Sequence, residues 1–498
     1  MTKESSTLPL VLPARRDGVP AQRWLYAALQ RGILDGSLPP GRRLPATREL
    51  AAQYHLARGT IVAAFDQLRS EGYLEGRTGS GTFVARELPA PRGLPHQAGA
   101  APRPPERHLS RFAALVEPFP LKGSRPLRAF RANQPALDLF PTDRWARVAA
   151  RRVRRATVRH LEGDPPMGHP PLREAVADYL ITSRGVRCTA EQVVIVSGVQ
   201  EALSLVARLV LDPGDRVVME NPGYIGARLA FQSLAARIQR APVDDQGLVL
   251  RPEHAGARLA YITPAHQFPL GMSMSLARRL ELLAFARAHG CLIFEDDYDS
   301  EYRFRGRPLP ALQGLDADGV VVFAGSFSKV LFPALRLGYV VLPPDLLDRV
   351  AAAAYITSRH VPTLEQAVLC DFITEGHFAR HIRRMRQVYA ERLGVLLEAS
   401  QQRLAGLLDV SDVEAGLQTS GWLAPGIAED DAVAAAAARR VEVTPLGEYT
   451  TGRPGRAGLQ LGFAAVDPAE IRRGVRDLAS ALEPLARRRQ GRAKVESR

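Results

Sequence analysis

The sequence predicts two folded units: a small N-terminal winged helix-turn-helix, mainly α with a β-wing, and a large α/β unit with a mostly parallel sheet. Three observations predict this division. A segment near 87–107 is dense in Pro, Gly and Ala and has no apolar period, which is typical of a linker. Before it, apolar residues recur at helical spacing in three short runs. After it, short apolar runs alternate with amphipathic stretches, as in parallel sheets covered by helices on both faces.

Composition limits the class of protein. The chain has 498 residues, of which 46% are hydrophobic and 24% charged, and its formal net charge is +14. At roughly 100–200 residues per domain, this length allows several cores that need no disulfide or structural metal. The three cysteines lie far apart, which favours a reducing compartment. The sequence has no run of about 20 apolar residues and no apolar block near its start, so we expect a cytoplasmic protein and no membrane contact.

The N-terminal unit has three predicted helices followed by a hairpin. Apolar spacing predicts a helix over 21–34, which Gly and Pro residues end. Thr47 can cap a short second helix, and a third runs over about 58–72. Two short helices joined by a tight turn are typical of a helix-turn-helix, and two β-prone runs around the Gly-rich segment 76–81 predict the wing.

The larger unit follows the linker. Continuous apolar runs predict strands near 193–196, 216–219, 259–263, 291–294 and 320–323. We place the domains at 12–86 for the winged helix-turn-helix unit, 87–125 for the linker, 126–485 for the α/β unit and 486–498 for a basic tail that we expect to be disordered.

Lysine usage singles out one residue. Only four of the 66 basic residues are lysines, and Lys329 is the only one between Lys122 and Lys494. A general bias toward arginine explains the overall count. Arginine replaces lysine as a charge, but it cannot form a Schiff base. Lys329 is therefore the first candidate for covalent chemistry.

The surroundings of Lys329 suit an aldehyde cofactor that carries a phosphate. Lys329 follows an apolar strand, with hydroxyls beside it and Arg336 seven residues on. Pyridoxal phosphate also requires a carboxylate that keeps its pyridine nitrogen protonated, and the apolar run 292–298 ends in acids. The strand-to-helix turn at 197–200 offers backbone amides for a phosphate.

The N-terminal unit contains, in this order, the motifs LPATRELA, ARGTIV, LRSEGYL and GSGTFV. With the residues between and beside them, the match covers about 65 residues and resembles the GntR family of bacterial regulators. The alternative is a small helical domain with an ordinary solvated face, and the 12 basic and 7 acidic residues of 3–86 do not decide between the two. The ordered motifs favour DNA binding. The resemblance implies DNA contacts by Arg48, Arg58 and Thr60, and wing contacts near the minor groove by Arg77 and Gly79.

The motifs DPGD at 212–215, ENPGY at 220–224 and TPAHQFPLG at 263–271 resemble fold-type I aminotransferases, with the match covering most of 130–480. With its GntR-like N-terminal unit and its aminotransferase-like unit together, the chain resembles the MocR subfamily of GntR-type regulators (GabR, PdxR and TauR-like). The resemblance implies that Lys329 forms a Schiff base with pyridoxal 5′-phosphate. The other implied contacts are Asp296 with the pyridine nitrogen, Tyr298 with the ring hydroxyl, Tyr224 stacked on the ring, and Ser326, Arg336 and the amides of Val199 and Gln200 at the phosphate.

Two positions depart from the aminotransferase pattern. Phe268 stands where these enzymes usually have an asparagine that contacts the cofactor, and Gly163 where related chains often have a tyrosine for the partner's phosphate. The resemblance also implies an arginine for an effector carboxylate or sulfonate near the last strand. Arg456 fits that place without a gap, and Arg453 fits if three residues are inserted.

We therefore expect a homodimeric regulator that binds operator DNA and senses a primary amine, or pyridoxal phosphate itself, through Lys329. One alternative is an active aminotransferase with an autoregulatory DNA-binding head. Another is a DNA-binding protein whose large domain only dimerises. No metal site is expected, because Glu375, His377 and His381 are typical of a polar helix face. His266 either approaches the cofactor or is structural.

Overall fold

The computed structural model describes residues 10–15, 18–77, 80–89, 107–116, 127–306, 310–452 and 455–496. The chain divides into two compact units, one ending at Arg107 and the other beginning at His108. This division falls inside the predicted linker. In the described part of the chain, no helix is long and apolar enough to cross a membrane.

The first unit contains the predicted helices and wing. Its elements are α1 (Ala21–Leu34), α2 (Thr47–Gln53), α3 (Arg58–Ser70), β1 (Leu74–Arg77) and β2 (Gly81–Val84), with the two strands antiparallel. Leu25, Leu29 and Phe65 are buried where the helices meet. Thr47 does not cap α2 as expected. It is the first helical residue, and Glu49 instead accepts a hydrogen bond from the backbone N–H of Ala46 at 3.0 Å.

The second unit is α/β. Its helices are α4 (Arg111–Leu115), α5 (Thr142–Arg154), α6 (Val158–Glu162), α7 (Pro170–Arg184), α8 (Val199–Val210), α9 (Ile225–Ser233), α10 (Leu276–His289), α11 (Phe327–Val330), α12 (Leu347–Thr357), α13 (Thr363–Thr374), α14 (His377–Arg403), α15 (Glu429–Ala438) and α16 (Pro468–Glu496). Its strands are β3 (Val193–Val196), β4 (Arg216–Asn221), β5 (Arg237–Asp244), β6 (Gly247–Leu248), β7 (Leu259–Ile262), β8 (Leu292–Asp297), β9 (Val321–Ser326), β10 (Gly338–Val341), β11 (Leu408–Val410), β12 (Gln418–Leu423), β13 (Thr444–Pro445) and β14 (Gly458–Gly462).

The large sheet has eight strands in the order β3-β10-β9-β8-β7-β4-β5-β6. Strands β5, β4, β7, β8 and β9 run parallel, and β10 is antiparallel to both of its neighbours. The predicted, mostly parallel sheet is confirmed. A second sheet, with the order β11-β12-β14-β13, is antiparallel throughout.

Burial on both faces explains the continuous apolar runs. On β8, Phe294 packs into one apolar cluster with Tyr261 and Val322, while Ile293 packs into another on the opposite face with Ile262. Side chains alternate between the faces of a strand, so a strand covered on both sides is apolar at successive positions. The sheet therefore forms a rigid platform, and the carboxyl ends of its parallel strands lie at one edge.

Two segments overlap the predicted domain boundaries. Helix α16 continues through Glu496, into the segment 486–498 for which the sequence predicts a disordered basic tail. The Arg, Gln, Ala and Lys residues of this segment favour helix despite their charge. The predicted linker over 87–125 is described only in part, and its short helix α4 packs against α9.

Candidate cofactor site and DNA-binding face

A cavity of about 370 Å³ lies where β7, β8 and β9 end at their carboxyl termini. This is the usual place for a ligand on a parallel sheet. All eight sequence-predicted cofactor residues line it, namely Val199, Gln200, Tyr224, Asp296, Tyr298, Ser326, Lys329 and Arg336. The other lining residues are Asn133, Gly198, Tyr261, Thr263, Phe268, Ser328 and Pro333.

Lys329 lies on α11, directly after β9. Its Nζ donates a hydrogen bond to the backbone oxygen of Asn133 at 3.0 Å. Burial lowers the pKa of Lys329, although the charges of Asp299 and Asp296 oppose this effect. A lowered pKa increases the fraction of neutral amine, which is the form that attacks a carbonyl.

Asp296 lies near the end of β8 with one carboxylate oxygen paired and the other free. Its Oδ2 accepts a hydrogen bond from the hydroxyl of Tyr261 at 2.6 Å, whereas the buried Oδ1 has no hydrogen-bond partner among the described residues. Burial raises the pKa of Asp296 to about 7. A protonated pyridine nitrogen supplies both a missing donor and a positive charge, so this carboxyl fits the ring of pyridoxal phosphate.

The other end of the cavity is suited to an anion. Gly198, with φ +123°, precedes the first helical residues of α8, whose backbone N–H groups have no partner within the helix. A Cβ at Gly198 would lie 3.3 Å from a guanidinium nitrogen of Arg336, so glycine leaves room between the helix and this cation. The Oγ of Ser326 accepts from the N–H of Ser328 at 3.2 Å, and the buried Oγ of Ser328 has no partner in the described structure. These groups fit a phosphate.

Aromatic rings form the walls between these two ends. The ring of Tyr224 lies 6.4 Å from that of Tyr261 at an interplanar angle of 29°, and burial raises the pKa of Tyr224 to about 12. Phe268 packs edge-on against Tyr224, Tyr298 and Tyr449 at centroid distances between 4.9 and 5.9 Å. The position that usually carries an asparagine is therefore part of an apolar wall.

Gly163, the second departure from the pattern, has no room for a side chain. Its φ is +107°, and a Cβ there would lie 2.4 Å from Nε2 of His360. A tyrosine at this position would require the loop to move. The imidazole of His360 thus occupies the space beside Gly163 in this chain.

Sequence reasoning did not identify several residues of the cavity. Thr263 and Ser328 lie inside motifs that were recognised, so their hydroxyls could have been proposed from position alone. Tyr261 was part of a predicted buried strand, and nothing in the sequence shows its hydrogen bond to Asp296. Asn133 is 196 positions from Lys329, and only the folded chain brings them together.

The two candidate arginines for an effector anion lie elsewhere. Arg456 is exposed, and its guanidinium carbon lies 5.3 Å above the ring of Trp422. It does not line the cavity, whose cationic side chains among the described residues are Lys329 and Arg336. Arg453 lies outside the described residues.

The predicted DNA-contacting residues lie on the helix-turn-helix and the wing. Arg48 and Arg58 are exposed on α2 and at the start of α3, and Thr60 is half-buried two residues further on. Arg77 is exposed on β1, with its guanidinium 2.8 Å from Glu75 and 4.8 Å above the ring of Phe83. The predicted wing residue Gly79 lies outside the described residues.

Sequence reasoning also missed Arg43. This exposed residue forms an isolated bridge with Phe83 on β2 and so adds a cation beside the wing. In the second unit, the Nε2 of His377 lies 3.2 Å from Glu375. Within the described ranges, no group of three or more His, Cys, Asp or Glu side chains is placed to hold a metal ion.

Known proteins match both units. The profile of the aminotransferase class I and II family matches residues 129–478, and that of the gntR family of bacterial regulatory proteins matches residues 21–84. A probable rhizopine catabolism regulatory protein MocR from Rhizobium meliloti is 40% identical over 475 residues, covering 95% of this chain and 96% of that protein. The HTH-type transcriptional regulator TauR of Rhodobacter capsulatus is 34% identical and covers 93% of this chain and 96% of its own length.

A solved structure matches the second unit. It is the α-aminoadipate aminotransferase LysN of Thermus thermophilus, complexed with N-(5′-phosphopyridoxyl)-L-leucine. The TM-score is 0.69 at 30% identity, covering 76% of this chain and 98% of that one. A fold that holds a phosphopyridoxyl group in this relative agrees with the chemistry of the cavity.

Proposed function

Because this chain belongs to the MocR-type, GntR-family transcription regulators, with a pyridoxal phosphate-dependent aminotransferase class I and II domain, we propose that it senses a primary amine through Lys329. The observation that carries the proposal is the content of one cavity. It combines the Lys329 amine, the unpaired carboxylate oxygen of Asp296 and the anion cradle at the start of α8. The same chain carries a DNA-binding head.

Each group in the cavity has one task. When bound, pyridoxal phosphate supplies an aldehyde that condenses reversibly with primary amines. Lys329 would provide the resident amine for that aldehyde, and an effector would bring a second primary amine. Asp296 would hold the ring nitrogen, Tyr298 would bond the ring hydroxyl, and Tyr224 would stack on the ring. Ser326, Arg336 and the amides of Val199 and Gln200 would hold the phosphate.

An effector that also carries a carboxylate or sulfonate requires a cation besides those at the phosphate. We propose Arg456 or Arg453 for this role. Trp422, over which Arg456 lies, packs in the same apolar cluster as Phe268 and Tyr224 of the cavity wall. Arg456 is thus close to the cavity without lining it. Loss of effector affinity on Arg456→Ala or on Arg453→Ala would assign the residue.

Release or capture of the Lys329 amine becomes a signal only if it changes the affinity for DNA. An effector shifts the regulator between two arrangements by no more than its difference in binding free energy between them. A difference of about 1.4 kcal/mol changes operator affinity tenfold. We infer a homodimer in the cytoplasm, at the nucleoid, with two heads reading operator DNA through Arg48, Arg58, Thr60, Arg77 and Gly79.

Absorbance and operator binding together test this proposal. The purified full-length chain should show a cofactor band near the visible edge that titrates with some members of a panel of amines, amino acids and aminosulfonates. Lys329→Ala should lose the band, and Lys329→Arg is the matched control that keeps a cation but not the amine. Identical spectra for wild type and both variants would refute the role of Lys329.

The same preparations separate the sensor from the aminotransferase alternative. A sensor changes operator affinity when the effector is added and forms no keto acid in the steady state. Sustained keto acid formation from amino donors, with operator affinity unchanged, would instead establish an enzyme with an attached DNA-binding head.

A further inference from the structure

His266 is buried next to the cavity, in a set of contacts that the proposed sensing chemistry does not use. Its Nδ1 lies 2.8 Å from Oδ1 of Asp299 and 3.0 Å from the hydroxyl oxygen of Tyr298. His266 is 3% exposed and Asp299 is fully buried. Tyr298 lines the cavity, so it connects the cavity to this inner pair.

The acceptor character of Asp299 fixes the tautomer of His266. An ionised carboxylate only accepts hydrogen bonds, and the Oδ2 of Asp299 already accepts from the backbone N–H of Leu417 at 3.2 Å. At 2.8 Å from the other carboxylate oxygen, Nδ1 must therefore carry the hydrogen. In the neutral imidazole Nε2 is then the bare nitrogen, and it has no hydrogen-bond partner in the described structure.

This tautomer determines what the hydroxyl of Tyr298 can do. Because Nδ1 carries a hydrogen, it cannot accept one from Tyr298. The Nδ1–H group instead donates a bifurcated hydrogen bond, to Asp299 and to the hydroxyl oxygen of Tyr298. The hydroxyl hydrogen remains available for an acceptor on the cavity side. Phe268 offers no polar group on that wall, whereas the hydroxyl of Tyr298 can donate there.

Two glycines allow the backbone to pass close to the imidazole of His266. A Cβ at Gly416 would lie 2.0 Å from a ring carbon of His266, and one at Gly271 would lie 3.3 Å from Nε2. Both glycines have positive φ, +94° and +88°. The backbone at both glycines thus lies close to the Cε1–Nε2 edge of the imidazole, and Nδ1 lies beside Asp299 and Tyr298.

We propose that His266 is a positioning residue, which together with Asp299 orients Tyr298 so that its hydroxyl donates a hydrogen bond to the ring oxygen of bound pyridoxal phosphate. The inference rests on the proposed placement of the cofactor. It assigns a role to a histidine outside the cavity and to an acid that sequence reasoning did not select.

A nearly isosteric change reverses the arrangement. In Asp299→Asn, the side-chain amide can donate to Nδ1, so His266 shifts its hydrogen to Nε2 and Nδ1 becomes an acceptor. The hydroxyl of Tyr298 then donates to Nδ1 and turns away from the cavity. We expect pyridoxal phosphate to bind roughly tenfold more weakly, as for the loss of one hydrogen bond to a charged acceptor.

A double-mutant cycle with Tyr298→Phe tests whether the effect passes through Tyr298. The dissociation constant and absorbance maximum of the bound cofactor are measured for wild type, each single variant and the double variant, all as full-length chains. The double variant should bind no more weakly than Tyr298→Phe alone. Losses that multiply would refute positioning through Tyr298, as would full affinity in Asp299→Asn.

A buried-histidine control separates positioning from packing. His254 is 1% exposed and lies outside the cavity, so His254→Gln should leave cofactor affinity unchanged while His266→Gln lowers it. Equal losses in both variants would mean that a structural effect is being measured.

The tautomer can be read without any cofactor. Nitrogen-15 NMR of labelled histidine should show His266 protonated at Nδ1 in wild type and at Nε2 in Asp299→Asn. An Nε2-protonated ring in wild type would overturn the inference. If no cofactor band forms in wild type, the proposed function fails on the absorbance test, and the NMR result still decides the placement of the hydrogen.

Discussion

Asp296→Asn is expected to stabilise the cofactor-free protein while weakening its hold on pyridoxal phosphate. Burial raises the pKa of Asp296 from its usual 3.8 to about 7. Between about pH 4 and 7 the native carboxyl therefore keeps a proton that the unfolded carboxyl has lost. The native state binds more protons in this window, so the stability of the wild-type apoprotein falls as the pH rises through it.

The size of the effect follows from the same shift. Each pH unit of the difference corresponds to about 1.36 kcal/mol, so roughly 4 kcal/mol is lost by pH 7 and no more above it. Glu220, Glu295 and Glu301 are also buried and have pKa values raised to about 7. They are present in both proteins and cancel in the comparison, except that the charge of Asp296 contributes to the raised pKa of Glu220. The stability advantage of Asp296→Asn should grow by about 1.4 kcal/mol per pH unit up to about pH 7.

Urea denaturation of the full-length apoprotein from pH 4.5 to 8.5 measures this difference. Trp24 belongs to the first unit, so a Trp24→Phe background leaves Trp145 and Trp422 to report on the α/β unit. A difference between variant and wild type that stays constant with pH would refute the argument. So would an apoprotein that Asp296→Asn destabilises at pH 8. Cofactor affinity, measured in parallel, should fall in the variant, because the asparagine provides no charge for a protonated ring nitrogen.

Three further outcomes follow from the structure. Lys329→Arg should abolish the cofactor band while leaving DNA affinity without effector within about twofold, as gel-shift titration would show; a retained band would contradict the role of the amine. Arg58→Ala should weaken operator binding by about 1–3 kcal/mol, and the loss of a phosphate contact should make operator affinity less dependent on salt concentration. Arg439 is an exposed arginine of the other unit, so Arg439→Ala should change neither quantity. Gly198→Ala should lower cofactor affinity roughly tenfold, because the added carbon enters the anion cradle. Gly214→Ala controls for backbone strain, since Gly214 also has a positive φ but lies in open space. Equal losses of cofactor affinity in the two variants would count against the cradle.

Much of the fold could be predicted because its signals are local. The predicted helix over 21–34 matches α1, and the central strands appeared as continuous apolar runs because both of their faces are buried. The antiparallel sheet of β11 to β14 was missed, since its strands have two to six residues and pair across long stretches of sequence.

The residues of the cofactor site also fall into those that the sequence could identify and those that it could not. Residues inside compact motifs, such as Asp296 and Lys329, could be chosen from sequence because their chemistry is specific and their spacing short. Asn133 could not, since its contribution is a backbone oxygen at a point that only folding brings near Lys329. For His266 the sequence left two alternatives, a cofactor contact or a structural role, because it does not show the contacts of the ring with Asp299 and Tyr298.

The choice of lysine in an arginine-rich chain has a physical reason that the structure sharpens. Only four of the 66 basic residues are lysines, so the positive charge of this protein is carried almost entirely by arginine. At position 329 the side chain is in an environment where burial lowers its pKa. A guanidinium there would remain charged and could not become a nucleophile, whereas an ammonium can lose its proton and bind covalently to an aldehyde. The same burial that makes a fixed charge unfavourable at this point thus makes a lysine reactive.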